Sequence, residues 1–414
     1  MKTKNYFYLI GACLLTTTFA FTACDKDDSA EPSVYELSGE VEDRSLGYSA
    51  PGENGGSSGE QKGNYEAGVV TAGEWCDLTN WAFWSKLMLG QEFADKSEYW
   101  EFFTDNRIPV EVTDNKGDAV AGVKVKLLSE NNGKQVTVWE AVTDNHGRAE
   151  CWFGLFQKAT AHADKLRISL NGDVMDGHPV VCPLDSLLQE VKVNKYVYNK
   201  AKAVAEQADI AFIVDATGSM CDEIDFLKSD LKDIVMNAKA TRPGMTMRTA
   251  ALFYRDEGDD YLTKPFTFTN DITKTVDFID EQNADGGGDY PEAVHAALNG
   301  MLQDLDWRSN ARSKIAFLIL DAPAHHETDI IHSLQKSVEQ CAKQGIRLIP
   351  VAASGVDKDT EFMLRFFANS TGGTYVFLTD DSGVGNSHIA ASVGDYEVEN
   401  LNKLLIRLIK YYTE

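Results

Sequence analysis

The sequence has little that would serve as a covalent framework, a nucleic-acid surface or a membrane core. Seven cysteines are spread over 414 residues. Cys13 falls in an apolar leader and Cys24 closes it. The other five (Cys76, Cys151, Cys182, Cys221 and Cys341) are odd in number and irregular in spacing, which speaks against a disulfide framework and against a structural zinc site. Cys151 and Cys182 are candidates for a single bridge, although nothing in the sequence pairs them. Cys341 shares a helical face with Leu334 and Val338 and reads as a small core residue. Basic residues are scarce, 39 Lys and Arg against 64 Asp and Glu, for a formal charge of −25. A field of that sign repels phosphate backbones and anionic lipid, so no nucleic-acid partner is expected. There is no internal repeat, no glycine-rich Walker loop, no nucleophile elbow and no H-E-x-x-H pair. Beyond the N-terminus, no segment reaches the ~18 apolar residues of a spanning helix.

What is present begins with the leader, "MKTKNYFYLIGACLLTTTFAFTAC". Two lysines, a short apolar stretch and small residues before a cysteine read as a secretory signal over residues 1–23. Its end, "FTAC", resembles a bacterial lipobox, which implies cleavage before Cys24 and lipidation of the Cys24 thiol. The following "DKDDS" resembles the surface-export signal of Bacteroidetes lipoproteins. The expectation is an outer-membrane protein, lipid-anchored, facing the cell exterior and touching the membrane through its anchor only. Residues 24–66, centred on "PGENGGSSGEQKGN", are too polar to offset ordering entropy and read as a tether.

The length suggests about two or three domains of ~150 residues. Residues 67–106 are rich in tryptophan, with helices expected at 79–89 and 96–104 that pack against a neighbour. From Ile108 the period shortens to alternation, with turns at "NKGD" and "DNHG". This predicts a small β-sandwich over 107–195. The run resembles Ig-like or carboxypeptidase-regulatory-like modules, and the resemblance implies a spacer or support. From 205 the apolar runs "IAFIV", "TAALFY", "IAFLIL", "RLIPVAA" and "TYVFL" alternate with amphipathic segments at 222–237, 328–344 and 398–412. Apolar strands flanked by such helices predict an α/β fold over 205–414, a doubly wound, mostly parallel sheet covered on both faces. By this reading the segment supplies a complete sheet from its own strands.

Such sheets bind ligands beyond the carboxyl ends of their strands. Asp215 ends "IAFIV", with Thr217 and Ser219 leading into the next helix. Asp321 ends "IAFLIL", and Asp289 sits in "DGGGDYPEAV" just before a helix. Aspartic proteases need Asp-Thr-Gly, which Ala216 interrupts here; aspartyl phosphatases need a second aspartate at the place of Thr217. What remains is a set of hard oxygen donors suited to Mg²⁺ or Ca²⁺. The plainer alternative is that Asp215, Thr217 and Ser219 only cap a helix.

Together "DIAFIVDATGSM", "GGGDYPEAV" and "IAFLILDAPAH" resemble the von Willebrand factor type A (vWA) domain. The resemblance implies a Rossmann-like fold with a metal-ion-dependent adhesion site. It carries Asp215, Thr217 and Ser219 onto the family's Asp-x-Ser/Thr-x-Ser and Asp321 onto its final aspartate. Asp289 falls where many members have threonine. The implied metal is Mg²⁺ (or Mn²⁺ or Ca²⁺), and the implied partner is a protein presenting an Asp or Glu carboxylate to the open metal position. The implied function is recognition or adhesion rather than catalysis. Two alternatives stand beside it: a metal-dependent hydrolase with His325 or His326 as base, and an assembly module of an envelope complex. Tyr254, Arg255 and Asp256, after "AALFY", resemble a family loop that flanks the site, with structural pairing of Arg255 standing beside ligand contact; Glu292 and His295, three residues apart on one helical face, read as core-rim residues.

Overall fold

The computed structural model describes residues 66–385 and 389–414, apart from the side chain of Asp222. The leader, Cys24 and the tether through residue 65 lie outside the described residues. The described residues all fall in one compact unit. Within the described residues no helix is long and apolar enough to cross a membrane.

The tryptophan-rich segment opens with a strand, β1 (Thr71–Trp75), followed by α1 (Trp81–Met88) and α2 (Gln91–Trp100). The second helix starts and stops earlier than its spacing suggests. Gly90 separates the two helices, and Glu101 takes a left-handed φ of 54° that turns the chain inward. Trp81, Trp84 and Trp100 are fully buried, so these rings are core and not a binding face.

The next eight strands are β2 (Asn106–Thr113), β3 (Lys124–Asn131), β4 (Lys134–Val142), β5 (Arg148–Trp152), β6 (Leu166–Leu170), β7 (Asp173–Val174), β8 (Cys182–Pro183) and β9 (Asn194–Val197). They form two small sheets. One has the order β5-β2-β8 with β9 also on β2, the other β4-β3-β6-β7. Cys151 and Cys182 are both free. They sit on strands that flank β2 from opposite sides. Two strand spacings amount to about 9–10 Å, well beyond disulfide reach.

The α/β part runs β10 (Ala205–Asp215), α3 (Ile224–Thr241), β11 (Thr246–Tyr254), β12 (Thr263–Thr269), α4 (Ile272–Asp280), α5 (Val294–Gln303), β13 (Ala311–Leu320), α6 (Thr328–Gln344), β14 (Ile346–Ala352), α7 (Lys358–Thr371), β15 (Tyr375–Leu378), β16 (Glu399–Asn400) and α8 (Leu401–Thr413). The eight-stranded sheet has the order β12-β11-β10-β13-β14-β15-β1-β16. The inner strands β11, β10, β13, β14 and β15 are parallel. Alternate residues of β10 face opposite sides: Ile210, Phe212 and Val214 pack with α3 and α8, whereas Ala211 and Ile213 join the core of α5, α6 and α7. This is the doubly wound architecture expected of strands apolar on both faces. The helical stripes hold as well: Ile331, Leu334, Val338 and Cys341 of α6 are all buried.

The sheet is not completed by residues 205–414 alone. Strand β1 lies between β15 and β16, antiparallel to both. The hydrophobic core on the α5–α7 side also continues through the tryptophans into the two small sheets. A buried ion network binds the pieces: Arg365 of α7, with no exposed surface, pairs with Asp77 at 2.5 Å and with Glu361 at 3.2 Å.

Candidate functional site

Strand order reverses between β10 and β13, so their C-terminal ends open a crevice that no crossover helix fills. Asp215 ends β10 and Asp321 follows β13 immediately. Asp215, Thr217 and Asp321 are at most 5 % exposed, whereas Ser219 is exposed and marks the open side. The Thr217 backbone N–H (2.9 Å) and hydroxyl (2.7 Å) both donate to Asp215 Oδ1. The Thr217 and Ser219 oxygens are 3.2 Å apart. The turn after β10 therefore aims two hydroxyls and a carboxylate at one point. It caps no long helix, because residues 218–222 form a short 3-10 turn before α3.

The glycine loop closes the site from above. Gly218 N donates to Gly286 O (3.0 Å), and Asp285 N donates to Ala216 O (3.0 Å). Gly286 has φ +79°, and a Cβ there would lie 2.4 Å from the Asp259 carboxylate. Gly287, at φ +74°, has Thr217 and Glu292 Oε1 against it. Only glycine permits this approach of two loops.

The loop brings Glu292, rather than Asp289, up against Gly287 and Thr217. The Glu292 N–H donates to Pro323 O (2.9 Å), and residue 292 forms a parallel bridge with Ala324. That link turns the Glu292 side chain inward, where it is 3 % exposed. Asp289, three residues earlier, is exposed, and its carboxylate groups instead with Asp256 and His325. Its expected place beside Asp215 is thus corrected. The glycine loop has no regular period, so the facing of its residues is set by the contact with the 321–325 segment.

Around the crevice, the buried carboxylate oxygens Asp215 Oδ2, Asp321 Oδ1 and Glu292 Oε2 have no hydrogen-bond partner among the described residues. Their electrostatics follow. Burial, then the charge of Asp321, pushes Asp215 up to about 7, against the pull of Thr217 and the Tyr254 hydroxyl. Burial, then the charges of Asp215 and Asp256, pushes Glu292 up to about 9. Burial raises Asp321, and the Ser219 hydroxyl lowers it. Acids crowded in this way hold protons unless a cation replaces them. Carboxylates and hydroxyls with orphaned oxygens fit a hard divalent cation.

The remaining candidates separate. Arg255 donates to Asn283 O (3.0 Å) and lies over the Tyr261 ring, a structural role. His326 bonds the Tyr99 carbonyl (2.6 Å) and stacks on the Tyr99 ring, which ties α2 to the sheet. Engaged there, it is no general base for the crevice. His325 bonds Asp256 at 2.8 Å. The sequence places Glu292 on one helical face with His295, three residues on, which reads as a structural rim. The available signal was its place directly before the buried run of Ala293, Val294, Ala297 and Leu298.

A mostly parallel, doubly wound sheet with an aspartate-hydroxyl turn at its switch point defines a class of Rossmann-like α/β fold. Residues 209–380 match the family model for the von Willebrand factor A domain. Two curated proteins are similar over part of their length. One is an alpha-protein kinase, vwkA, of Dictyostelium discoideum, 30% identical over 150 residues, 36% of this chain and 23% of that protein. The other is a putative ariadne-like RING finger protein of Acanthamoeba polyphaga mimivirus, 32% identical over 121 residues, 29% of this chain and 12% of that protein. This chain therefore spans under a quarter of the length of either relative. Among solved structures, proximal thread matrix protein 1 of the mussel byssus with a zinc-occupied MIDAS motif is 18% identical at TM-score 0.37, covering 51% of this chain and 47% of that one. BatB of Bacteroides thetaiotaomicron is 14% identical at TM-score 0.34, covering 50% of this chain and 98% of that one.

Proposed function

We propose that this is a cell-surface binding protein, anchored to the outer membrane through lipid on Cys24, whose vWA domain recognises a partner protein through one divalent cation. The cation is Mg²⁺, with Mn²⁺ or Ca²⁺ as substitutes, held by Asp215, Thr217, Ser219, Asp321 and Glu292. The observation that carries this reading is the turn after β10, where the Thr217 and Ser219 hydroxyls stand beside Asp215 at the switch point of the sheet while Asp215 Oδ2 and Asp321 Oδ1 are buried without a partner among the described residues. Domains of this family are generally interaction modules, which favours recognition over catalysis.

When bound, the cation supplies a positive centre with coordination positions that water or an acidic side chain can fill. The residues of the chain set its terms. Asp215 and Asp321 furnish charge from the two strand ends. Thr217 and Ser219 furnish neutral oxygens, and exposed Ser219 leaves the approach open to a partner. Glu292 adds a third acid, which lowers the residual positive charge and weakens the hold on a partner carboxylate. A calorimetric titration of the full chain with Mg²⁺ and with Mn²⁺ tests the site, and absence of heat in both ends the proposal. Capture of envelope and host proteins in Mg²⁺ with EDTA elution tests recognition; release of nothing by EDTA removes the partner claim. Loss of membrane attachment in Cys24→Ser tests the anchor.

A further inference from the structure

The end of the sheet opposite the oxygen site holds a cavity that the proposed function leaves unused. Its volume is about 940 Å³. It is lined by the chain after β1, by β2 and β5, by the segment before β9, and by the last two turns of α8. Arg347, the second residue of β14, and Thr374, just before β15, place it at the N-terminal ends of the parallel strands. Asp215 and Asp321 stand at the other ends. Trp75, Val191, Val193, Leu408 and Tyr411 give the cavity apolar and aromatic walls. Pockets of about 300–1,000 Å³ with such walls and a few polar groups, at the junction of two modules, are the usual form of a small-molecule site.

Two guanidinium groups in this cavity have open donors. Arg347 is 7 % exposed, and its buried Nε has no hydrogen-bond partner among the described residues. Its Nη2 reaches the carbonyls of Val142 at 3.3 Å and Arg148 at 3.4 Å, and stands 3.7 Å from Asp144 Oδ2, beyond hydrogen-bond distance. The exposed Arg148 side chain has no hydrogen bond or ion pair among the described residues and lies in electrostatic range of Tyr411. Most acids of the wall are already answered. Arg107 holds Glu150 at 2.8 and 2.9 Å, Arg407 holds Glu74 at 3.0 Å, and Lys410 faces Glu414 at 3.6 Å. Asp144 Oδ1 accepts the backbone N–H groups of His146 and Arg148. That leaves exposed Glu190 on the acid side, against the open donors of Arg148 and Arg347. A buried guanidinium N–H left unmet is costly, and a planar carboxylate is the acceptor that matches its fork.

We propose that this cavity is a second binding site, for a small organic acid with an apolar body. Its carboxylate rests on Arg347 and Arg148, and its body lies along Trp75, Val191 and Val193. The inference rests on neither the cation nor the membrane anchor, and the two sites sit at opposite ends of one sheet.

The test uses the full chain in EDTA, so that no cation at the oxygen site can capture a carboxylate. The probes are naphthaleneacetate and its neutral isostere naphthaleneacetamide, each titrated by calorimetry. One equivalent of the acid should bind, and the amide should bind on the order of 10-fold more weakly, the worth of one charge-assisted hydrogen bond. Arg148→Gln, at an exposed position, should weaken the acid by about 10-fold and leave the amide unchanged. Arg347→Met should weaken the acid at least as much. Val193→Trp, also at an exposed position, fills the cavity and should abolish binding of both probes. If urea titration shows that Arg347→Met does not fold, Arg148→Gln and Val193→Trp decide. No binding of the acid to the wild type, equal affinity for acid and amide, unchanged acid affinity in a folded arginine variant, or undisturbed binding in Val193→Trp overturns the inference. Failure of the oxygen site appears separately, as a missing Mg²⁺ response with the EDTA titrations unaltered.

Discussion

Strand β10 carries a fully buried aspartate near each end, and the two are treated in opposite ways. Asp209, toward the N-terminal end, meets two arginines: Arg248 grips both its oxygens at 3.0 and 2.9 Å, and Arg308 adds its side chain at 2.9 Å and its backbone N–H at 2.8 Å. Among the described residues Asp215, at the C-terminal end, has no Lys or Arg hydrogen-bonded to it, one orphaned oxygen, and two further acids in electrostatic range. A buried charge is tolerated when it is paired. The first end is finished by the chain itself, and the second is the end at which the proposed cation would bind. The same strand thus separates an acid paired within the fold from the acid proposed to hold the cation.

The largest expected effect concerns the chain-supplied pairing. A fragment of residues 200–414 lacks β1 from the middle of its sheet edge and lacks Asp77 opposite the buried Arg365. It should show no cooperative urea transition by circular dichroism. A sharp transition at the midpoint of the intact chain would show that β1 and Asp77 are dispensable. Next, Asp209→Ala strands two arginines and should lower stability by about 3–5 kcal/mol. Asp215→Ala in EDTA, which removes a crowded acid, should leave stability unchanged or raised. Equal losses from the two variants in urea titrations would erase the contrast between the strand ends.

Metal sharpens the comparison further. Mg²⁺ at about 100 times its Kd should stabilise the wild type by about 2.7 kcal/mol. Asp215→Ala and Asp321→Ala should abolish that gain, and Ser219→Ala should only reduce it, since it removes a neutral donor. Thermal melts with and without Mg²⁺ measure this. The smallest effect is in pH. Asp215 and Glu292 are pushed up to about 7 and about 9 from ordinary values of 3.8 and 4.5. The folded, metal-free protein therefore binds more protons than the unfolded chain across that range. Its stability should fall as pH rises from about 4 to about 9. Saturating Mg²⁺ should flatten the dependence, because the cation displaces those protons. A metal-free melting temperature that rises across this range would contradict the crowding of the three acids.

Much of the frame was legible in the sequence. The five apolar runs from "IAFIV" to "TYVFL" all form parallel strands, because a strand covered on both faces must be apolar at every position. Asp215 and Asp321 could be placed at strand ends for the same reason, since each is the first polar residue after such a run. Thr217 and Ser219 followed from their spacing to Asp215. The strand β1 was not legible. Its partners are about 300 residues away at Leu378 and Asn400, and a short edge pairing leaves no periodic trace.

The sequence by itself determined which residue types stand at the ends of the central strands, and so the kind of chemistry the crevice supports, because burial dictates the runs and the runs dictate their ends. Only the tertiary structure decided which acid of "GGGDYPEAV" enters that crevice. Three glycines erase the local period, and the bond from Glu292 N to Pro323 O, between segments distant in sequence, turns Glu292 inward and leaves Asp289 outside with Asp256 and His325.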